Sequence, residues 1–215
     1  MQSTTTERIV TQKHRTTDLI KALSTLQSRN ENLKAWRKCQ DLARVALRTS
    51  DQSKRKVILR QAFESALEAG GPNRILTVSA WPLKVLCLHG GSKELEVEID
   101  RLLSINSKEP SPVRRLDALN YMLGAIVSGP KSLFMKVFAQ FKNACLEPLE
   151  GGRRNKRGES ALATFIPILA HIDRQLASVL IEQIKGPSLR ERARQNIEEY
   201  RNLKVDQICV WPNIG

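Results

Sequence analysis

The feature that most constrains this chain is its punctuation. Apolar residues recur at three- and four-residue spacing in blocks of several helical turns. The blocks are set off by glycine, by proline or by both, at Gly70-Gly71-Pro72, Gly90-Gly91, Gly129-Pro130 and Gly186-Pro187. Such spacing collects apolar side chains on one face of a helix. Glycine closes a helix and proline opens the next, because glycine tolerates the left-handed terminal residue and the first helical N–H has no partner to lose. The pattern predicts an all-α fold, a multi-helix array or α-solenoid-like bundle of about eight to ten helices.

Helices are predicted from Thr17 onward, where Leu19, Leu23 and Leu26 share a face, and over 33–48, 52–69, 94–103, 113–127, 131–147, 159–171, 173–185 and 188–203. Asn32 is an expected N-cap for the second of these, and Ser50-Asp51 for the third. Leu59, Ala62, Phe63, Ala66 and Leu67 form the expected buried stripe of 52–69. Residues 74–89 are apolar all round. They fit a buried helix broken at Pro82, or a helix giving way to a strand-like segment at 83–88. Lys108 to Pro112 reads as a loop. The expected organisation is a flexible basic arm (1–17), a single helical domain (18–203) and an extended C-terminal tail (204–215), on which Ile208, Val210 and Trp211 dock.

Composition enters by exclusion. Aromatics are 5% of the chain, too few for an aromatic-rich β-sandwich. No apolar run is long enough to span a bilayer. Cys39, Cys87, Cys145 and Cys209 form no CxxC pair, so neither a disulfide framework nor a zinc site is expected. Residues 1–17 lack an apolar signal core, and the expected location is intracellular, cytoplasmic or nuclear. Their Arg8, Lys13 and Arg15 also fit a mitochondrial-type targeting segment.

Charge is the functional signal. The chain carries 35 basic and 22 acidic residues, a net charge of +13. Residues 1–60 hold 14 basic and 5 acidic side chains, residues 61–150 hold 10 of each, and residues 151–215 hold 11 and 7. The two ends are thus the expected source of a basic surface. On a helix over 33–48, Lys34, Arg37, Lys38, Arg44 and Arg48 fall in one arc of about 120°, with Trp36, Cys39, Ala43, Ala46 and Leu47 opposite. Asp41 sits inside the arc and can pair with Arg37 or Lys38. Lys54, Arg55, Lys56 and Arg60 follow. Gly151 to Gly158 encloses Arg153, Arg154, Lys156 and Arg157 in what reads as a mobile basic loop, fit for phosphate contact or nuclear import. Lys and Arg suit phosphate because they displace condensed counterions and Arg donates in pairs. Arg190, Arg194 and Arg201 share a helix face with enough glutamates to pair internally. Phe134, Phe138 and Phe141 read as a core face.

Catalytic constellations are poor. His14, His89 and His171 have no nucleophile at a defined spacing, and Glu94, Glu96, Glu98 and Asp100 read as a charge-balancing face. No cofactor or metal is expected. The reading is of a non-enzymatic protein binding a polyanion, RNA or DNA, through phosphate-directed contacts. The scarcity of aromatics predicts little base stacking.

Asp173 to Ile197 resembles the paired short helices of α-solenoids of the HEAT or armadillo kind, with apolar-Ala periodicity and a Gly-Pro turn. The resemblance implies an architecture and no activity. It makes a protein–protein adaptor with an acidic partner the competing expectation. Small, basic, helical chains are also similar in character to viral nucleoproteins and matrix proteins. That likeness implies self-assembly into homo-oligomers and binding to an anionic membrane surface.

Overall fold

The computed structural model describes residue 31 and residues 33–208, and the statements that follow concern these. They form α1 (33–48), α2 (Gln52–Leu67), α3 (Pro72–His89), α4 (Ser92–Asn106), α5 (Pro112–Ile126), α6 (Lys131–Leu146), α7 (Lys156–Ile172), α8 (Arg174–Gln183), α9 (Pro187–Glu199) and α10 (Val205–Ile208). A 3-10 turn at Glu150–Gly152 is the remaining regular element among them. The all-α, multi-helix fold expected from the punctuation is the fold adopted. The arm 1–17, the helix expected from Thr17, the Asn32 cap, and Val210 and Trp211 lie outside the described residues.

Caps explain most boundaries. Asp51 accepts the backbone N–H of Ser53 (2.8 Å) and Lys54 (3.1 Å) and starts α2. Asp173 does the same for α8 through Leu176 (3.0 Å). Asn155 accepts from Gly158 at 2.8 Å, so α7 begins at Lys156 rather than near 159. Lys156 and Arg157 consequently sit in a helical first turn, not in the loop that the glycines suggest. Pro130 stands at the N-cap of α6, whereas Pro72 and Pro187 occupy the first turn as expected. The C-terminal tail is not extended from Lys204. It makes the turn α10, and Val205 and Ile208 pack on the core.

α3 runs unbroken through Pro82, and 83–88 is helical, not strand-like. Proline lacks the N–H that would reach the Val78 carbonyl one turn back. The Cys39 thiol of α1 donates to that carbonyl instead, at 3.6 Å. Burial pushes the Cys39 pKa up to about 12, so the thiol keeps the proton this bond needs. The stripe expected on α2 is buried except at Leu67, which stays 36% exposed.

The helices pack as successive antiparallel hairpins. α3 lies against α2, α4 and α5, α6 against α5 and α7, and α7 against α8 and α9. Phe134, Phe138 and Phe141 of α6 meet Phe165 of α7 with ring centroids 5.3–6.1 Å apart, at the centre of one core cluster reaching from Ala43 to Ala193. The face expected to be core is core.

Four contacts fix the polarity of the odd-numbered helices. Trp36 in the first half of α1 shares a pocket with Asn73 and Arg74 at the start of α3. Asn73 Nδ2 donates to the Arg114 carbonyl at the start of α5 (3.1 Å). Arg157 in the first turn of α7 pairs with Asp117 of α5 (2.8 Å). Glu159 of α7 lies beside the backbone of Lys185 and Gly186, which lead into α9. α1, α3, α5, α7 and α9 therefore all start along one edge.

Candidate polyanion interface

α1 presents its cations as expected. Ala35, Cys39, Ala43 and Ala46 are buried, and Lys34, Arg37, Lys38 and Arg48 are exposed. Among the described residues no carboxylate lies within ion-pair distance of these four. Asp41 pairs with Arg44 at 3.7 Å, not with Arg37 or Lys38. The Arg44 guanidinium also lies 5.6 Å from the centroid of the Trp81 ring, which makes it part of the α1–α3 packing.

The basic arc runs the length of α1, about 20 Å from Lys34 to Arg48, and its two ends meet different surroundings. Lys34, Arg37 and Lys38 belong to the edge where the odd helices start. Arg48 lies at the far end with Lys54, Arg55, Lys56 and Arg60. There, Arg55 donates to the carbonyls of Ala46 (3.3 Å) and Thr49 and closes the end of α1. Lys56 pairs with Glu94 at 2.7 Å. Lys54 and Arg60 are exposed, with no carboxylate partner among the described residues.

The Gly151–Gly158 segment is a built turn that leads directly into α7 at Lys156. Gly151 and Gly152 adopt φ of 74° and 70°, and the Leu149 N–H closes the turn on the Arg153 carbonyl at 2.8 Å. Arg154 grips Glu159 through both guanidinium edges, with Nε to Oε1 at 2.6 Å. Glu159 is 5% exposed, and the Arg154 hydrogen bond holds its carboxyl below the usual carboxylate range. Arg154 is thus a structural tie, and Arg157 answers Asp117. Lys156 projects from the edge with no carboxylate partner among the described residues, and Arg153 is exposed beside it.

The edge also holds cations that charge counting by segment concealed. Arg74 is the third residue of α3, Arg114 and Arg115 the third and fourth of α5, and Arg190 the fourth of α9. Arg115 pairs with Glu147 (3.5 Å) and Arg190 with Glu182 (3.8 Å). Arg74 and Arg114 are exposed and have no carboxylate partner among the described residues. The signal for them was in the sequence. Pro72-Asn73-Arg74, Pro112-Val113-Arg114-Arg115 and Pro187-Ser188-Leu189-Arg190 repeat one pattern, proline and then arginine within a turn.

Two concavities complete the surface. At the edge, a pocket of about 260 Å³ is lined by Trp36, Asn73, Arg74, Thr77, Val78, Asp117 and Tyr121. At the far end, a groove of about 620 Å³ between α2 and α4 has Leu59, Phe63 and Leu86 in its floor and Arg60, Lys93 and Glu64 on its rim. Glu94, Glu96, Glu98 and Asp100 act as mates for nearby cations, as with Lys136 and Asp100 at 2.6 Å. His171 meets the Tyr200 carbonyl at 3.0 Å. Among the described residues no cluster of His, Cys, Asp and Glu has the make-up of a metal site, and no helix is long and apolar enough to cross a membrane. No protein-family model matches the chain, and comparisons with curated proteins and with solved structures find no match either.

Proposed function

We propose that this protein binds a nucleic acid through the edge where α1, α3, α5, α7 and α9 begin, with Lys34, Arg37, Lys38, Arg74, Arg114 and Lys156 as the phosphate contacts. One observation carries the reading. The first turns of α3, α5 and α9 hold arginine and no acidic residue. A helix's own dipole disfavours cations there by about 0.3–1 kcal/mol each and favours anions. Arginines set repeatedly against that preference, two of them without a carboxylate, match an external polyanion that returns the lost energy through charge-assisted hydrogen bonds.

Replacing Lys34, Arg37, Lys38, Arg74 and Arg114 by Gln is expected to lower salt-dependent binding to heparin and to oligonucleotides while helix content stays the same. Each lost phosphate contact should reduce the log–log salt slope by about 0.7–0.9. An unchanged slope would remove the edge from the argument.

The groove between α2 and α4 favours a second reading, an adaptor for a partner helix. Its apolar floor is the kind of surface such helices bury. Binding there would be carried by apolar contact, with Val97, which lines the groove and is exposed, as its main residue, and would depend only weakly on salt.

A further inference from the structure

We infer that the nucleic acid is single-stranded and that the pocket under Trp36 receives one of its bases. The inference rests on the reading above and adds the ligand's class to it.

Trp36 is a large apolar side chain left 37% exposed on a helix whose buried face is built from Ala35, Cys39, Ala43 and Ala46. Tyr121 of α5 lines the same pocket, so two aromatic residues from two helices border it. Its volume of about 260 Å³ falls just under the ~300–1,000 Å³ usual for small-molecule sites. That is room for one planar ring system. Apart from Val78, the remaining lining is polar. Asn73 holds its amide between the Arg114 carbonyl (3.1 Å) and the Thr77 hydroxyl (3.3 Å). Asp117 is bound by the single guanidinium of Arg157, at 2.8 and 3.0 Å, and keeps acceptor capacity.

The charges say which part of a nucleotide goes where. A carboxylate in the pocket repels phosphate but accepts the N–H edge of a base. The cations stand around it: Arg74 in its lining, Arg114 and Arg157 through the residues they hold, and Arg37 next to Trp36 in α1. Phosphates on the rim and a base inside against the indole is the arrangement by which stacking platforms hold single strands. A duplex keeps its bases in the stack and could use only the rim. The scarcity of aromatics in the composition hid this, because one exposed tryptophan at the right place suffices for one base.

The test compares Trp36→Ala and Trp36→Phe with the unaltered full chain on three probes. These are an oligothymidylate of about 16 nucleotides, an abasic strand of the same length, and heparin. Expected for Trp36→Ala is an affinity for oligothymidylate lower by about tenfold or more, with abasic and heparin binding unchanged. Trp36→Phe should keep most of the affinity. The unaltered chain should prefer the strand with bases. Equal affinity of the unaltered chain for both strands would overturn the inference and leave the polyanion reading standing. Trp36→Ala binding oligothymidylate as tightly as the unaltered chain would do the same. Absence of binding to all three probes would overturn both. If Trp36→Ala does not fold, as judged by circular dichroism, the strand comparison on the unaltered chain decides.

Discussion

At the scale of single residues, Glu159 does most to join separate parts of the chain. It sits in the first turn of α7, takes Arg154 from the preceding turn, and lies beside the backbone of Lys185 and Gly186 ahead of α9. A Cβ on Gly186 would stand 2.9 Å from the Arg154 guanidinium, so a larger residue there would press on the arm that grips Glu159. Removing the carboxylate leaves the part-exposed Arg154 guanidinium without its acceptor, at the low end of the about 1–3 kcal/mol that a group shut off from water costs. Glu159→Ala is expected to cost about 1–2 kcal/mol in denaturant unfolding. The pH dependence has a definite sign. The folded carboxyl is held below its ordinary value, so its stabilisation is fully present above the unfolded pKa of about 4.3. It is lost as pH falls through the lower folded value. Acid unfolding of Glu159→Gln should lack that contribution. An acid-unfolding curve for Glu159→Gln parallel to that of the unaltered chain would show that the tie adds nothing.

At the scale of elements, the instructive case is α3. Pro82 ought to break a helix, and its neighbours are apolar on every side. The helix nonetheless continues, and a donor from another element, the Cys39 thiol, takes the Val78 carbonyl that proline leaves open. Pro82→Ala would restore the backbone donor and make the thiol redundant. Cys39→Ala should therefore cost more stability in the unaltered chain than in the Pro82→Ala background, with a coupling of about 0.5–1 kcal/mol. Additivity to within about 0.3 kcal/mol in a double-mutant cycle would separate the thiol from the proline. The same element-level logic explains α7. Asn155 caps α7 from within a stretch whose glycines and arginines read as a loop, so the helix starts three residues before the position its spacing predicts.

At the scale of the molecule, charge is arranged by helix polarity. Antiparallel hairpins bring every odd-numbered helix start to one edge, so arginines far apart in the chain come to the same side of the molecule. The far end keeps its own cations, Arg48, Lys54 and Arg60, beside the α2–α4 groove. Replacing those three by Gln is expected to leave the oligonucleotide salt slope within about one unit of its original value. The change at the edge should remove several units. If the two sets of changes reduce the slope equally, binding is spread over the whole basic surface rather than held at the edge.

Much of the fold was legible before any tertiary contact was known. Helical spacing, Gly-Pro punctuation and the Asp51 cap are local devices, acting within a turn or two, and they read directly as α2, α4, α5, α6, α8 and α9. The basic face of α1 was legible for the same reason, since a helix's own geometry sets which side chains share a side. Which cations are available to a ligand was not. Arg154, Arg157, Lys56 and Arg55 are taken by groups 5, 40, 38 and 6–9 residues away. Arg74 and Arg114 gain their place only because α3 and α5 lie parallel. Pairing and adjacency depend on distances in space, and those are set by how the helices pack.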